Sequence, residues 1–481
     1  MHFNQARRDQ TEQGARSAEL SEAIPGQAAL ALCDFDLADL GYGVEEFFLS
    51  GSARSYRSAG PKGRDGRWSA KPHRQAAFRT RLVVVRPLDT ARFNGVVVVE
   101  WLNVSAGADT APEWGYTHRE LIRSGYAWVG VSVQKAGIEG GGFMSFPGME
   151  PLKKAAPDRY ATLAHPGDAF GYDIFTQAAR AVRAETERLL GASGIRALIA
   201  AGESQSASRL TTYINAIAPL ETVFDGFLVH SRFGGAPGLQ DGFAPLALLD
   251  ALKPVHIRTD TQAPVLIFIT ETDLMMKRFG YLHARQPDHE KLRTWEVAGT
   301  AHADTYVMGA SSMDSGSASA EALAGAMAPT RTLLGLELPQ PINAAPQHHY
   351  VMMAALSALT GWATGGPPPP EAPRLELSTS TGSTLALDAV GNAMGGVRSP
   401  WMDAPAARLS GLAKPGSRIS ALFGSTEPLT AGVLDQLYPQ GRDDYLGRFE
   451  SSLSRAIDAG FILPADRTEI ESLASIGYGV S

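Results

Sequence analysis

Short apolar runs rich in β-branched residues alternate with helix-length segments along most of this chain. That rhythm confines the fold to a mainly parallel sheet covered by helices. The runs Arg81–Val85, Gly95–Glu100, Ala127–Val133, Ala197–Gly202, Gly226–His230, Pro264–Thr270 and Thr294–Ala298 have strand length and are apolar enough to be buried on both faces. An earlier strand is expected at the edge, near Phe47–Tyr56. Helices fill the intervals: Pro112–Ser124, closed before Gly125; Asp168–Leu190, with Phe170, Ile174, Ala178 and Ala181 on one stripe and Gly191 as C-cap; and Ser206–Ile217, stopped by Pro219. A further helix is read at His348–Trp362.

The remaining stretches set the organisation. Residues 1–30 read as a polar tail, and 31–364 as one α/β unit interrupted by irregular insertions at 136–165 and 303–345. Residues 365–371, with Gly-Gly followed by four prolines, form a stiff linker. Beyond it, 372–481 is expected to be an extension folding back as a cap. A net charge of -7 excludes the basic face that nucleic-acid binding needs. No apolar run reaches the length of a membrane span, and the first 24 residues lack an apolar signal core. The single cysteine, Cys33, cannot make an internal disulfide, so a cytoplasmic protein is expected.

Chemistry concentrates where the strand Ala197–Ala201 runs into Gly202-Glu203-Ser204-Gln205-Ser206 and then into a helix. A nucleophile elbow needs this context, because the tight turn lifts the serine Oγ above the sheet edge. Strand and helix approach closely there, so the positions two before and two after the serine must be small. Gly202 meets this, and Ser206 stands where glycine is usual. Alone, the pentapeptide could equally be a serine capping a helix. Two later strands decide between these readings. Pro264–Thr270 leads into Glu271-Thr272-Asp273, and Thr294–Ala298 leads into Gly299-Thr300-Ala301-His302-Ala303-Asp304. Serine, acid and histidine thus follow one another in chain order, each at the carboxyl end of its own strand, where a parallel sheet opens its crevice.

With these motifs the sequence resembles the α/β-hydrolase superfamily. It is most similar to a large bacterial family whose elbow reads G-E-S-Q-S and whose histidine sits in A-G-T-A-H-A-D. The resemblance extends over roughly 36–405 and includes E-W-L-N-V-S at Glu100–Ser105 and G-Y-A-W-V-G-V-S at Gly125–Ser132. It implies Ser204 as nucleophile and His302 as general base, with the backbone of Gln205 as one oxyanion donor. The second donor falls within Leu102-Asn103-Val104, from a backbone N–H or the Asn103 side chain. Asp273 is the expected acid, standing where relatives carry the catalytic aspartate; Glu271 is the alternative.

Other residues take lesser parts. Trp101, beside the oxyanion loop, is read as packing with a possible place in the substrate pocket. His230 is expected to line the pocket or to be a hydrogen-bonded structural group. His348-His349 is structural, and Asp304 follows His302 too closely to orient it. Gly137–Gly142 has no helix opening after it, as a phosphate cradle would require, and reads as a loop at the pocket entrance. The expected activity is hydrolysis of a small to medium neutral ester, or a lactone, through an acyl-serine, without metal or other cofactor. An acyltransferase or a C–C hydrolase would use the same groups. A non-catalytic binding protein on this scaffold is the alternative of another class. Nothing in the sequence bears on oligomeric state.

Overall fold

The computed structural model describes residues 18–142, 148–240, 252–333, 335–379, 382–413 and 420–479. An antiparallel edge opens the sheet: β1 (Glu19–Leu20), β2 (Tyr42–Ser58) and β3 (Ala70–Pro87). β4 (Val96–Trp101), β5 (Ala127–Val131), β6 (Ala197–Glu203), β7 (Gly226–His230), β8 (Val265–Thr270) and β9 (Leu292–Val297) follow, parallel to one another and with every residue buried. The order across the nine-stranded sheet is β1-β2-β3-β5-β4-β6-β7-β8-β9. After β4 the chain crosses to one side to build β5, then returns to the other side for β6. Such a reversal of strand order, here at the carboxyl ends of β4 and β6, is where open parallel sheets place their ligands.

The two-residue period of the strands divides the core into two layers. On one face Leu198 and Ala200 of β6, with Val97, Val229 and Ile267, pack under α2 (Gly171–Ala184) and α3 (Gln205–Thr212). On the other, Ile199 and Ala201, with Val98, Leu228 and Phe268, pack under α1 (Pro112–Arg123) and a long apolar helix, Gln347–Ala363. The segment read as one helix from Asp168 is broken at Glu185, and a second piece, Thr186–Leu190, ends on Gly191 with φ +65°. The helix after Ser204 likewise relaxes into a π turn over Tyr213–Ile217.

Three expectations need correction. The edge strand near Phe47–Tyr56 is part of a much longer hairpin, β2 and β3, paired from Tyr42↔Pro87 to Ser58↔Ala70. The outer half of β3 is mostly exposed and polar, so it lacks the apolar signature of a strand. The tail is also partly folded: Leu20 is buried, and Ala29 O accepts from the buried Arg81 guanidinium; residues 1–17 lie outside the described residues.

The third correction concerns 372–481. This segment contributes to the second core layer: Tyr445, Phe449 and Leu453 of the helix Arg442–Asp458, and Ile470 and Leu473 of Arg467–Gly477, are buried there. Val397 bridges Val297 in parallel, so the chain also lines the outer edge of β9. The proline linker is pinned as well, Pro369 O accepting from Arg293 Nε and Pro370 O from Trp295 Nε1. The segment expected to be an extension folding back as a cap is thus an integral part of the core, and it also reaches the loop after His302, where Ala303 N donates to Leu422 O (3.1 Å).

Candidate active site

Ser204 sits between the end of β6 and the start of α3 with φ +59° and ψ −116°. A non-glycine residue held at such angles costs about 1–3 kcal/mol and persists only where the surroundings impose it. Here Ser204 N donates to His230 O (2.9 Å) on one side, and α3 begins on the other. The size restriction on the flanks has a direct cause. A Cβ on Gly202 would lie 3.2 Å from Ser206 C and 3.3 Å from Ser206 Cβ. Ser206, where glycine is usual, is accommodated by donating its hydroxyl to Leu102 O (3.3 Å).

His302 follows β9, and its Nδ1 lies 2.6 Å from Asp273 Oδ1. Asp273 stands in the first turn of a short helix, Glu271–Met275. Its other oxygen accepts from Thr270 N (3.2 Å) and Thr270 Oγ1 (2.6 Å) in a capping box. Burial by itself would raise this carboxyl, but His302, followed by the hydrogen bonds to it and to Thr270, hold it below its ordinary value. Burial also works against an imidazolium at His302; Asp273 first, then Glu203, outweigh it and hold the imidazole above its ordinary value.

Glu271 turns elsewhere. Its oxygens accept from Gly299 N (2.5 Å) and Gly411 N (2.8 Å), tying the end of β8 to the loop after β9 and to the C-terminal segment. Burial pushes its carboxyl up to about 7. The room for Gly411 is tight: a Cβ there would lie 2.5 Å from Glu271 Cβ and 2.3 Å from Thr300 O.

The loop after β4 narrows the search for the second oxyanion donor. Asn103 N donates to Thr110 O (2.9 Å), and Asn103 Nδ2 donates to Glu203 O (3.1 Å) and Glu203 Oε2 (3.0 Å). Both kinds of donor on Asn103 are therefore taken, which corrects its candidacy. Among the described residues Val104 N has no such partner. Gln205 opens α3, where the first helical N–H groups are unpaired within the helix, and its side chain donates to Gln134 Oε1 (2.8 Å).

Of the two readings open for Trp101 and His230, the structure places both side chains in packed, hydrogen-bonded surroundings. Trp101 is 1% exposed, packs on Tyr172 and Phe175, and donates its indole N–H to Gln134 Oε1 (3.1 Å). His230 is fully buried, with Nε2 3.0 Å from His348 Nε2. His348 in turn sets Nδ1 2.9 Å from Asp304 Oδ2, so this pair anchors the loop after His302 to the helix Gln347–Ala363. Gly142 packs against the loop after β4, since a Cβ there would be 2.3 Å from Gly107 N; residues 143–147, next to the Gly137–Gly142 segment expected at the pocket entrance, lie outside the described residues.

Glu203 is the site residue that sequence reasoning passed over. Its Oε1 lies 3.2 Å from His302 Nε2. A carboxylate closing an otherwise apolar strand, directly before the serine, was the available signal.

Among the described residues no cluster of three His, Cys, Asp or Glu side chains is arranged to hold a metal ion, and no helix is long and apolar enough to cross a membrane. Comparison with solved structures finds an esterase, Est22, at 13% identity over 64% of this chain and 83% of that one, with a TM-score of 0.32. It also finds a glucuronoyl esterase from Solibacter usitatus (11%, 59% and 83%, TM-score 0.30). A third is XC6422 from Xanthomonas campestris, described as an a/b serine hydrolase without lid (15%, 51% and 83%, TM-score 0.27). No curated protein matches the sequence. The family model described as alpha/beta hydrolase domain matches residues 9–472, nearly the whole length that forms the sheet, its two helical layers and the C-terminal core. The chain belongs to the alpha/beta hydrolase domain family.

Proposed function

We propose that this protein is a serine hydrolase that cleaves a carboxylic ester or lactone through an acyl-serine intermediate. The observation that carries this reading is Ser204, held at positive φ where strand order reverses, with the His302–Asp273 pair after the adjacent strands β9 and β8 at the same edge of the sheet. Nδ1–H of His302 donates to Asp273, leaving Nε2 to take the proton from Ser204 Oγ as Oγ attacks the acyl carbon. The negative charge on the tetrahedral oxygen is met by the N–H groups of Gln205 and Val104, each donor of this kind contributing roughly 3–4 kcal/mol. The imidazolium then protonates the departing alcohol. Water repeats the sequence on the acyl-serine, returning the acid and the free hydroxyl. The carboxylates of Glu203 and Asp273 disfavour an anionic acyl group and support a neutral ester as substrate.

Pre-steady-state turnover of p-nitrophenyl esters of graded chain length tests this directly. A burst of nitrophenol close to one per protein molecule, lost in Ser204→Ala, is the expected result. Near-native turnover by Ser204→Ala refutes the mechanism. Adding a competing alcohol separates hydrolysis from acyl transfer, since a transferase forms the new ester in preference to the free acid.

A further inference from the structure

His302 meets two carboxylates, not one. Asp273 holds Nδ1, while on the opposite side of the ring Glu203 Oε1 lies 3.2 Å from Nε2, the nitrogen that has to receive the serine proton. Glu203 is 7% exposed and is fixed from behind, its Oε2 accepting from Asn103 Nδ2 (3.0 Å). The contact with Nε2 does not have the alignment of a directed hydrogen bond, so it is an electrostatic pairing beside the ring nitrogen. We propose that Glu203 is a positioning residue whose carboxylate keeps a proton on His302 in the resting site, so that the base becomes available only as the pH rises above neutrality. This rests on the reading of His302 as the base for Ser204.

The surrounding charges support a coupled pair. Glu203 is faced by His302 from the loop after β9, by Asp273 from the helix after β8, and by Glu113 from α1; the Tyr116 hydroxyl of α1 also senses it. His302 is faced by Asp273, Glu203 and the buried His230 of β7. Burial raises the Glu203 carboxyl and the two acids raise the imidazole. Two sites this close titrate as a unit, and the free base appears only after that unit has released its protons to solvent. A purely structural Glu203, serving only to brace Asn103 and the oxyanion loop, would leave the protonation of His302 where Asp273 alone puts it.

The test follows the rate of fluorophosphonate labelling of Ser204 against pH in the wild type and in Glu203→Gln, which keeps the shape and an acceptor for Asn103. Imidazole NMR titration of His302 is recorded on the same proteins. In the wild type both midpoints are expected above the ordinary imidazole value of about 6.5, and in Glu203→Gln both fall by one pH unit or more. Should Glu203→Gln not fold, Glu203→Asp, which withdraws the carboxylate from Nε2, gives a smaller downward shift. Midpoints that coincide in wild type and variant overturn the inference. Absence of labelling at every pH overturns the serine-nucleophile reading instead, and the NMR titration still decides the role of Glu203.

Discussion

Replacing Asp273 by asparagine removes one charge without changing shape, and the capping box dictates how the new side chain is oriented. Asp273 Oδ2 accepts from both Thr270 N and Thr270 Oγ1. In Asp273→Asn the amide oxygen has to stay on that side, because a backbone N–H cannot receive a hydrogen bond. The new NH2 group then faces His302 Nδ1, where Oδ1 lay at 2.6 Å. An imidazole meeting a donor at Nδ1 takes the tautomer protonated at Nε2, which cannot accept the serine proton. The equivalent change in a serine protease lowers kcat roughly ten-thousandfold, about 5 kcal/mol of transition-state stabilisation. Glu271→Gln is the internal control. Its two oxygens accept from Gly299 N and Gly411 N, so the variant sets an NH2 group against one N–H donor. A lost buried acceptor costs about 1–3 kcal/mol in stability, with little change in turnover per folded molecule. Ester turnover and thermal melting of both variants separate the two effects. A larger loss of kcat in Glu271→Gln than in Asp273→Asn refutes the argument.

Further outcomes concern the C-terminal segment. Phe449, 1% exposed and packed on Trp401 and Tyr445, should cost about 3–5 kcal/mol as Phe449→Ala, read as a fall in denaturation midpoint. Truncation after Trp362 removes the buried Tyr445, Phe449, Leu453 and Ile470 together with the Gly411 N–H that Glu271 requires. The truncated chain should lose its cooperative melt; a soluble, cooperatively melting product with altered KM alone would restore the reading as a cap.

The parts of the structure legible in the sequence are those with local signals. Strands buried on both faces are predominantly apolar, so β4 to β9 could be read within a residue or two at most ends. The chain order of Ser204, Asp273 and His302, at the ends of β6, β8 and β9, came with them. The outer half of β3 was not legible because Lys71, Pro72, His73 and Arg74 are exposed and look like loop. In the C-terminal segment Tyr445, Phe449, Leu453 and Ala456 do recur at helical spacing. The Gly/Pro-rich stretch before them points toward an appendage, and their burial depends on contacts with elements far away in sequence. The same holds for Asn103, whose side chain is committed to Glu203, a hundred residues later. Long-range pairing of polar groups leaves no periodicity to read.

The proposed mechanism stands on Ser204 as the group that becomes acylated. Mass spectrometry of the protein treated with a fluorophosphonate above neutral pH tests it most directly. One adduct per chain is expected on the peptide containing Gly202-Glu203-Ser204-Gln205-Ser206, absent from Ser204→Ala and strongly reduced in Asp273→Asn. An unmodified Ser204 under these conditions, or an adduct on a different residue, would contradict it.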